Sequence, residues 1–196
     1  ERNHTKTLEQ QKYDLDLAKK VLATITAFSF IGNPFVAMAS TITRVDDGTT
    51  VTDGHVNHIY AGNIVNNTAV NRFDQFKIDA GDIANMYFQT GQNQKWADNL
   101  VNFVNNRINV AGTVNAIKEN KIGGNLFFLS SQGMAVTNSG VINAGSLYVM
   151  TPTEDFMKKI LGEDDLSGFN EQWDNISKME IPVNPSGTIT VLGTIN

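Results

Sequence analysis

Ile108-Asn109-Val110-Ala111-Gly112-Thr113-Val114-Asn115 recurs as Ile189-Thr190-Val191-Leu192-Gly193-Thr194-Ile195-Asn196, both on the template I-x-V-x-G-T-[VI]-N. The copies start 81 residues apart, at positions 108 and 189, and a shorter echo, Gly140-Val141-Ile142-Asn143, falls between them. Gly followed by an apolar pair and Asn is what each coil of a β-solenoid needs. Gly or Asn turns the corner, β-branched residues stack inward, and Asn side chains can ladder along the axis. With coils of about 20–25 residues, the separation amounts to four coils or fewer, given an insertion between the copies. The competing reading is a chance match between two generic strand–turn–strand units.

Working outward, the other apolar runs are brief and β-branched or aromatic: Ile64-Val65, Phe76-Lys77-Ile78, Met86-Tyr87-Phe88, Val101 to Val104 and Leu126 to Leu129. Most are bounded by Gly or Asn, which supply turns and left-handed positions. Nearer the start, Ile42 and Arg44, then Asp46-Asp47-Gly48, then Thr49 and Val51 read as two short strands around a turn. The chain is expected to be all-β. Its 196 residues, 41% hydrophobic, suffice for a real core. A formal charge of −5 argues against a nucleic-acid binder, which would carry a basic stripe. The absence of cysteine removes disulfides, thiolate nucleophiles and Cys-based zinc sites together.

Residues 1–39 read as an extended signal peptide. Lys19 and Lys20 precede an apolar run from Val21 to Ile31, and Gly32-Asn33-Pro34 breaks it. Ala37-Met38-Ala39 then offers a small-x-small cleavage site before Ser40. The run falls short of the ~20 apolar residues of a membrane anchor. A buried core helix is the other reading of the run. The chain starts at Glu1 and the second repeat copy ends it uncapped, so longer sequence is expected on both sides. The remainder, residues 40–196, reads as one domain.

One segment leaves the strand rhythm. Thr151-Pro152-Thr153-Glu154 fits a capping box with Thr151 as N-cap, Pro152 at N1 and Glu154 at N3. Phe156, Met157, Ile160 and Leu161 then share one helical face, and Gly162 stops the helix before the acidic run Glu163-Asp164-Asp165. Trp173, Ile176 and Met179 suggest a second short helix or an extended return. An excursion packed on the solenoid's flank is expected in preference to a binding element.

Catalytic constellations are not evident. His55 and His58 sit at i, i+3, which on a strand points them to opposite faces, so no metal site is expected. Asp46-Asp47-Gly48 and Asp53-Gly54 lack calcium-loop spacing and read as turns. Asp74, Asp79 and Asp82 cluster in sequence, but a glycosidase needs carboxylates facing across a cleft. Ser130-Ser131 lies in no G-x-S-x-G elbow, and Gly123-Gly124 is not followed by a phosphate-loop Lys. No catalytic residue, metal or cofactor is expected.

Asn66-Asn67-Thr-Ala-Val-Asn-Arg-Phe-Asp-Gln-Phe-Lys-Ile-Asp-Ala-Gly-Asp-Ile-Ala-Asn85 resembles the secretion domain of two-partner secretion exoproteins. These are filamentous-haemagglutinin-like adhesins and cytolysins of Gram-negative bacteria. The likeness runs on through Ile108 to Asn115, Gly124 to Met134 and Gly140 to Pro152, and is similar to the leukotoxin-like filamentous adhesin branch. Where that family commonly carries Asn-Pro-Asn-Gly-Ile, this chain has Ser130-Ser131-Gln132-Gly133-Met134, keeping the Gly and the apolar residue after it. The resemblance implies an all-β fold, a right-handed parallel β-helix with an N-terminal β cap. It implies export of the leader-bearing chain by the general export machinery, through the periplasm to the surface or medium. An outer-membrane β-barrel transporter with periplasmic recognition domains would read the extended chain by strand addition. Carried over residue by residue, the transporter-recognition positions are Asn66, Asn67, Asn71, Phe73, Phe76, Gly81, Asn85, Asn125 and Gly133. Contacts with host-cell receptors or glycans would belong to a downstream region. The alternatives are a β-helix carbohydrate-active enzyme of the polysaccharide-lyase kind and a module that binds glycans directly.

Overall fold

The structure, a computed structural model, describes residues 39–91, 95–161 and 166–196. Residues 1–38, and with them Ala37 and the leader, lie outside the described residues, as do Gly162 and the acidic run after it. Ala39–Asn196 forms a compact unit.

That unit is a parallel β-helix. Its strands are β1 (Thr41–Arg44), β2 (Thr50–Asp53), β3 (Val56–Tyr60), β4 (Asn63–Val65), β5 (Thr68–Ile78), β6 (Ile83–Tyr87), β7 (Asn99–Val104), β8 (Ile108–Val110), β9 (Thr113–Lys118), β10 (Lys121–Ile122), β11 (Asn125–Leu129), β12 (Gly133–Val136), β13 (Val141–Asn143), β14 (Ser146–Met150), β15 (Thr188–Val191) and β16 (Thr194–Ile195). Two helices, α1 (Glu154–Leu161) and α2 (Ser167–Ser177), interrupt them between β14 and β15.

The strands stack in three parallel rows. The first half of β5 pairs with β7, which pairs with β11, then β14. The end of β5 pairs with β8, then β12 and β15 follow. The third row runs β3, β6, β9, β13, β16. The long strand β5 thus serves two faces. Three coils, β5–β6, β7–β9 and β11–β13, lie one on another before the helical excursion.

The repeat that suggested the solenoid occupies equivalent places. Ile108 and Ile189 both pair with Met134, and Val114 and Ile195 both pair with Ile142. The two copies are therefore two rungs apart, with the echo Gly140–Asn143 on the rung between, and α1 and α2 take up much of the intervening chain. Rungs are 31 residues apart at Thr68 and Asn99 and 26 at Asn99 and Asn125. The first coil exceeds the expected length because the connection from β6 to β7 is long.

Two apolar clusters follow from the alternation of side chains. Inside the coils, Ala69, Leu100 and Leu126 stack in one row, Ile78, Val110 and Val136 in another, and Ala84, Val114 and Ile142 in a third. Phe76 bridges Phe73 and Phe128, with ring centroids 5.3 and 5.4 Å apart. On the outer side of β7 and β11, Val101, Phe103, Phe127 and Leu129 meet Phe156, Met157, Ile160, Phe169 and Ile176. These strands are buried on both faces, which is why Leu126–Leu129 is an unbroken apolar run and Leu100–Val104 is apolar on both faces except at Asn102. The excursion is packed on the flank, as expected.

Three local expectations need correction. The strands β1 and β2 do not form a hairpin: β1 runs antiparallel to β5, and β2 pairs with β3 across Gly54-His55. Together with β4 they cap the first coil. The cap of α1 is Thr153, whose Oγ1 accepts from the Phe156 N–H at 3.4 Å, not Thr151. Pro152 is held instead in an antiparallel bridge to Val183, so the helix begins two residues later. Met179 lies beyond α2, with φ +59°, and is exposed.

Candidate functional site

The residues singled out for recognition fall in three structural classes. Asn66 and Asn67 form the two-residue turn between β4 and β5, with φ of +48° and +62°. Two successive positive φ values are the type I′ hairpin geometry, which Asn tolerates better than most residues. The Asn67 amide donates to the Asp98 carboxylate, and the Asn66 amide to Asn170 Oδ1 at 3.4 Å. Gly81 (φ +90°) and Gly133 (φ +86°) make corners. At the first, the Asp82 N–H donates to the Asp79 carbonyl at 3.1 Å, a turn with Gly at its third position. At the second, the Gly133 N–H donates to the Ser130 carbonyl at 3.0 Å. The Ser130 hydroxyl donates to the Asn106 carbonyl and accepts from the Gln132 N–H. The corner is thus built without the Asn-Pro-Asn of the family pattern. A Cβ on Gly133 would lie 2.0 Å from the Thr188 carbonyl oxygen.

The second class is buried. Asn71, Phe73 and Phe76 face the interior. Asn71 belongs to a polar chain that enters the core from the capped end. The Arg44 guanidinium donates to Asp46 Oδ1 (2.7 Å) and to Asn71 Oδ1 (2.7 Å). The Asn71 amide donates to Asn102 Oδ1 (2.8 Å), and the Asn102 amide to the Phe127 carbonyl (3.0 Å). Burial pushes the Arg44 guanidinium below its ordinary value, while Asp46 acts in the opposite sense. The guanidinium also lies 4.9 Å from the centre of the Phe73 ring. Sequence reading missed this chain, because it depends on β1 pairing with a strand some thirty residues on.

The third class forms ladders. Along the third row, on the side away from the core, the Asn115 amide donates to Asn85 Oδ1 (2.9 Å), Asn143 to Asn115 (2.8 Å) and Asn196 to Asn143 (2.9 Å). Asn125 donates to Asn99 Oδ1 at 3.0 Å in the first row. Tyr60 and Tyr87 stack beside the longer ladder at 4.6 Å, with His58 Nδ1 2.9 Å from the Tyr87 hydroxyl. Burial, then the neighbouring Tyr60, raises the Tyr87 phenol above its ordinary value.

The acidic cluster is divided among structural tasks. Asp74 accepts from the amides of Asn105 and Asn106. Asp79 pairs with Lys77 at 2.9 Å. Asp82 accepts from the Ser40 hydroxyl through Oδ2 (2.7 Å), and its Oδ1 lies 2.7 Å from His55 Nδ1. The Ser40 hydroxyl, foremost, with further help from His55, holds the Asp82 carboxyl below the usual carboxylate range. Ser40, Asp82 and His55 are the residue types of a hydrolase triad in the wrong order. The carboxylate stands between the hydroxyl and the imidazole, so the histidine has no bond to the serine through which to take its proton. His55 lies in a turn and His58 on β3, so the two do not converge.

Among the described residues, no group of three or more His, Asp or Glu is placed to hold a metal ion. A cavity of about 40 Å³ beside Asp46, Asp47, Asn63 and Arg72 has room for water but not for an organic ligand. No helix among the described residues is long and apolar enough to cross a membrane. Compared with protein-family models, curated proteins and solved structures, the chain finds no match in any of the three.

Proposed function

We propose that this chain carries the N-terminal secretion domain of a large exported adhesin, haemagglutinin or cytolysin of a Gram-negative-type bacterium. A dedicated outer-membrane β-barrel transporter reads it unfolded in the periplasm, and it folds outside. One observation carries the reading. Residues 66–85, which carry the resemblance, span β5 and the start of β6 in the first coil, directly beneath the cap of β1 to β4. The segment a transporter would meet is therefore also the template on which all later coils stack.

The ladder hydrogen bonds run in the same direction. Each later Asn donates to the one before it, so every coil arriving after the first finds an acceptor already fixed. Phe73 and Phe76 are fully buried once folded, so their recognition belongs to the extended chain. Strand addition suits that state, because its affinity comes from main-chain hydrogen bonds and its selectivity from alternate side chains. A polysaccharide-lyase-like enzyme would present carboxylates and basic groups along one face. The outer face of the third row presents Asn85, Asn115 and Asn143 instead, which favours the secretion reading.

The test is binding to the isolated periplasmic domains of the transporter encoded beside this chain's gene. The urea-unfolded chain, diluted into buffer, is expected to bind, and the refolded chain is not. Binding of the folded form alone would favour a surface-docking role and contradict the proposal.

A further inference from the structure

We infer that Asp82 is a receiving site for a free α-ammonium at Ser40, formed when the chain is cut between Ala39 and Ser40. The inference rests on the export reading for one thing only, that the leader is removed at that bond.

The geometry is already that of a terminus seat. The Ser40 backbone nitrogen lies 3.1 Å from Asp82 Oδ2, and the Ser40 hydroxyl donates to the same oxygen at 2.7 Å. The Asp79 N–H donates to that hydroxyl at 3.0 Å, fixing the residue from a second side. Pairing of Thr41 with Lys77 is what carries Ser40 to the Asp79–Asp82 turn. Asp82 is only 12% exposed, and its other oxygen meets His55.

Hydrolysis of the Ala39–Ser40 amide by a leader peptidase breaks the C–N bond. Water supplies the hydroxyl of the new Ala39 carboxylic acid and a proton to the Ser40 amine, which takes a further proton from solvent at neutral pH. A neutral N–H donor thereby becomes a cation on the same carboxylate, and a charge-assisted bond replaces an ordinary one. The charged and titratable groups around it are Asp82, Asp79 with its partner Lys77, and His55. The nearest full charge is the Asp82 carboxylate, which favours the ammonium and raises its pKa. Burial alone would act in the opposite direction. Processing would thus tighten the cap over the first coil.

The experiment expresses the whole chain in an exporting Gram-negative host, recovers the exported form and sequences its N-terminus. Its α-amine is then titrated by competitive acetylation with acetic anhydride. Expected are an N-terminus at Ser40 and an α-amine midpoint at least about one unit above the ordinary value near 8, or about tenfold slower labelling at neutral pH than the urea-unfolded chain. Asp82→Asn is expected to abolish the difference. If that variant does not fold, the comparison of folded with unfolded wild type still decides. A midpoint at or below the ordinary value, or a terminus at another residue, overturns the ammonium seat alone. A chain that keeps residues 1–39 and stays in the cytoplasm overturns both the seat and the export reading.

Discussion

Asp82 shows how much of this fold depends on single polar contacts. Its carboxyl lies below the ordinary range because the ionised form accepts from Ser40 and is faced by His55. A carboxyl with a depressed folded pKa contributes stability above its unfolded value, near 3.9, and loses that contribution as pH falls through the folded value. Asp82→Asn is therefore expected to cost about 1–2 kcal/mol at neutral pH and less at acid pH, below the ordinary carboxylate range, measured by urea unfolding across pH. An equal cost at both pH values would contradict the assignment. Gly133 is constrained differently. With φ at +86° and the Thr188 carbonyl 2.0 Å from where a Cβ would sit, Gly133→Ala must displace β15 or strain the corner. A loss of at least about 2 kcal/mol is expected in the same assay, against little change for an exposed control such as Ser139→Ala.

At the scale of elements, the strands and their ladders were legible because their code is local. Gly and Asn at corners, with one inward-facing apolar position per alternation, are the local signature of coils, and the repeat marks equivalent rungs. Antiparallel pairing in the cap was not legible. Nothing near Thr41–Arg44 distinguishes pairing with the adjacent β2 from pairing with the distant β5, since both are short and β-branched. The start of α1 was misplaced for a related reason. Thr151 and Thr153 are both good caps, and only the distant bridge from Pro152 to Val183 selects the second. The residues proposed for recognition divide similarly: Asn66, Gly81 and Gly133 could be read as turns, whereas the Arg44–Asn71–Asn102 chain needed the cap's register. Two mutations probe elements. Asn115 both donates and accepts within the ladder, while Asn85 only accepts. Asn115→Ala should cost about 1–2 kcal/mol and Asn85→Ala about half as much, by thermal unfolding. Ile160, fully buried between α1 and the outer face of β7 and β11, should cost about 2–4 kcal/mol as Ile160→Ala. It should do so without loss of the β-sheet circular dichroism signal, because the excursion is not part of the coil stack.

For the whole molecule, the physical theme is a one-dimensional assembly with a capped beginning. Each coil contacts chiefly its neighbours, so stability accrues rung by rung from the first. The strands at residues 66–85 lie against the cap, so the proposed secretion role puts the transporter's target on the coil where the stack begins. At the opposite end, Ile189, Val191, Leu192 and Ile195 are exposed, and Asn196 donates to Asn143. The most direct measurement is deletion of residues 66–85 in the organism that makes the chain, followed by N-terminal sequencing and surface immunolabelling of the product. Under the proposed secretion role, the product is a chain with its leader removed, held in the periplasm and missing from the surface; normal surface labelling of the deleted chain would rule that role out.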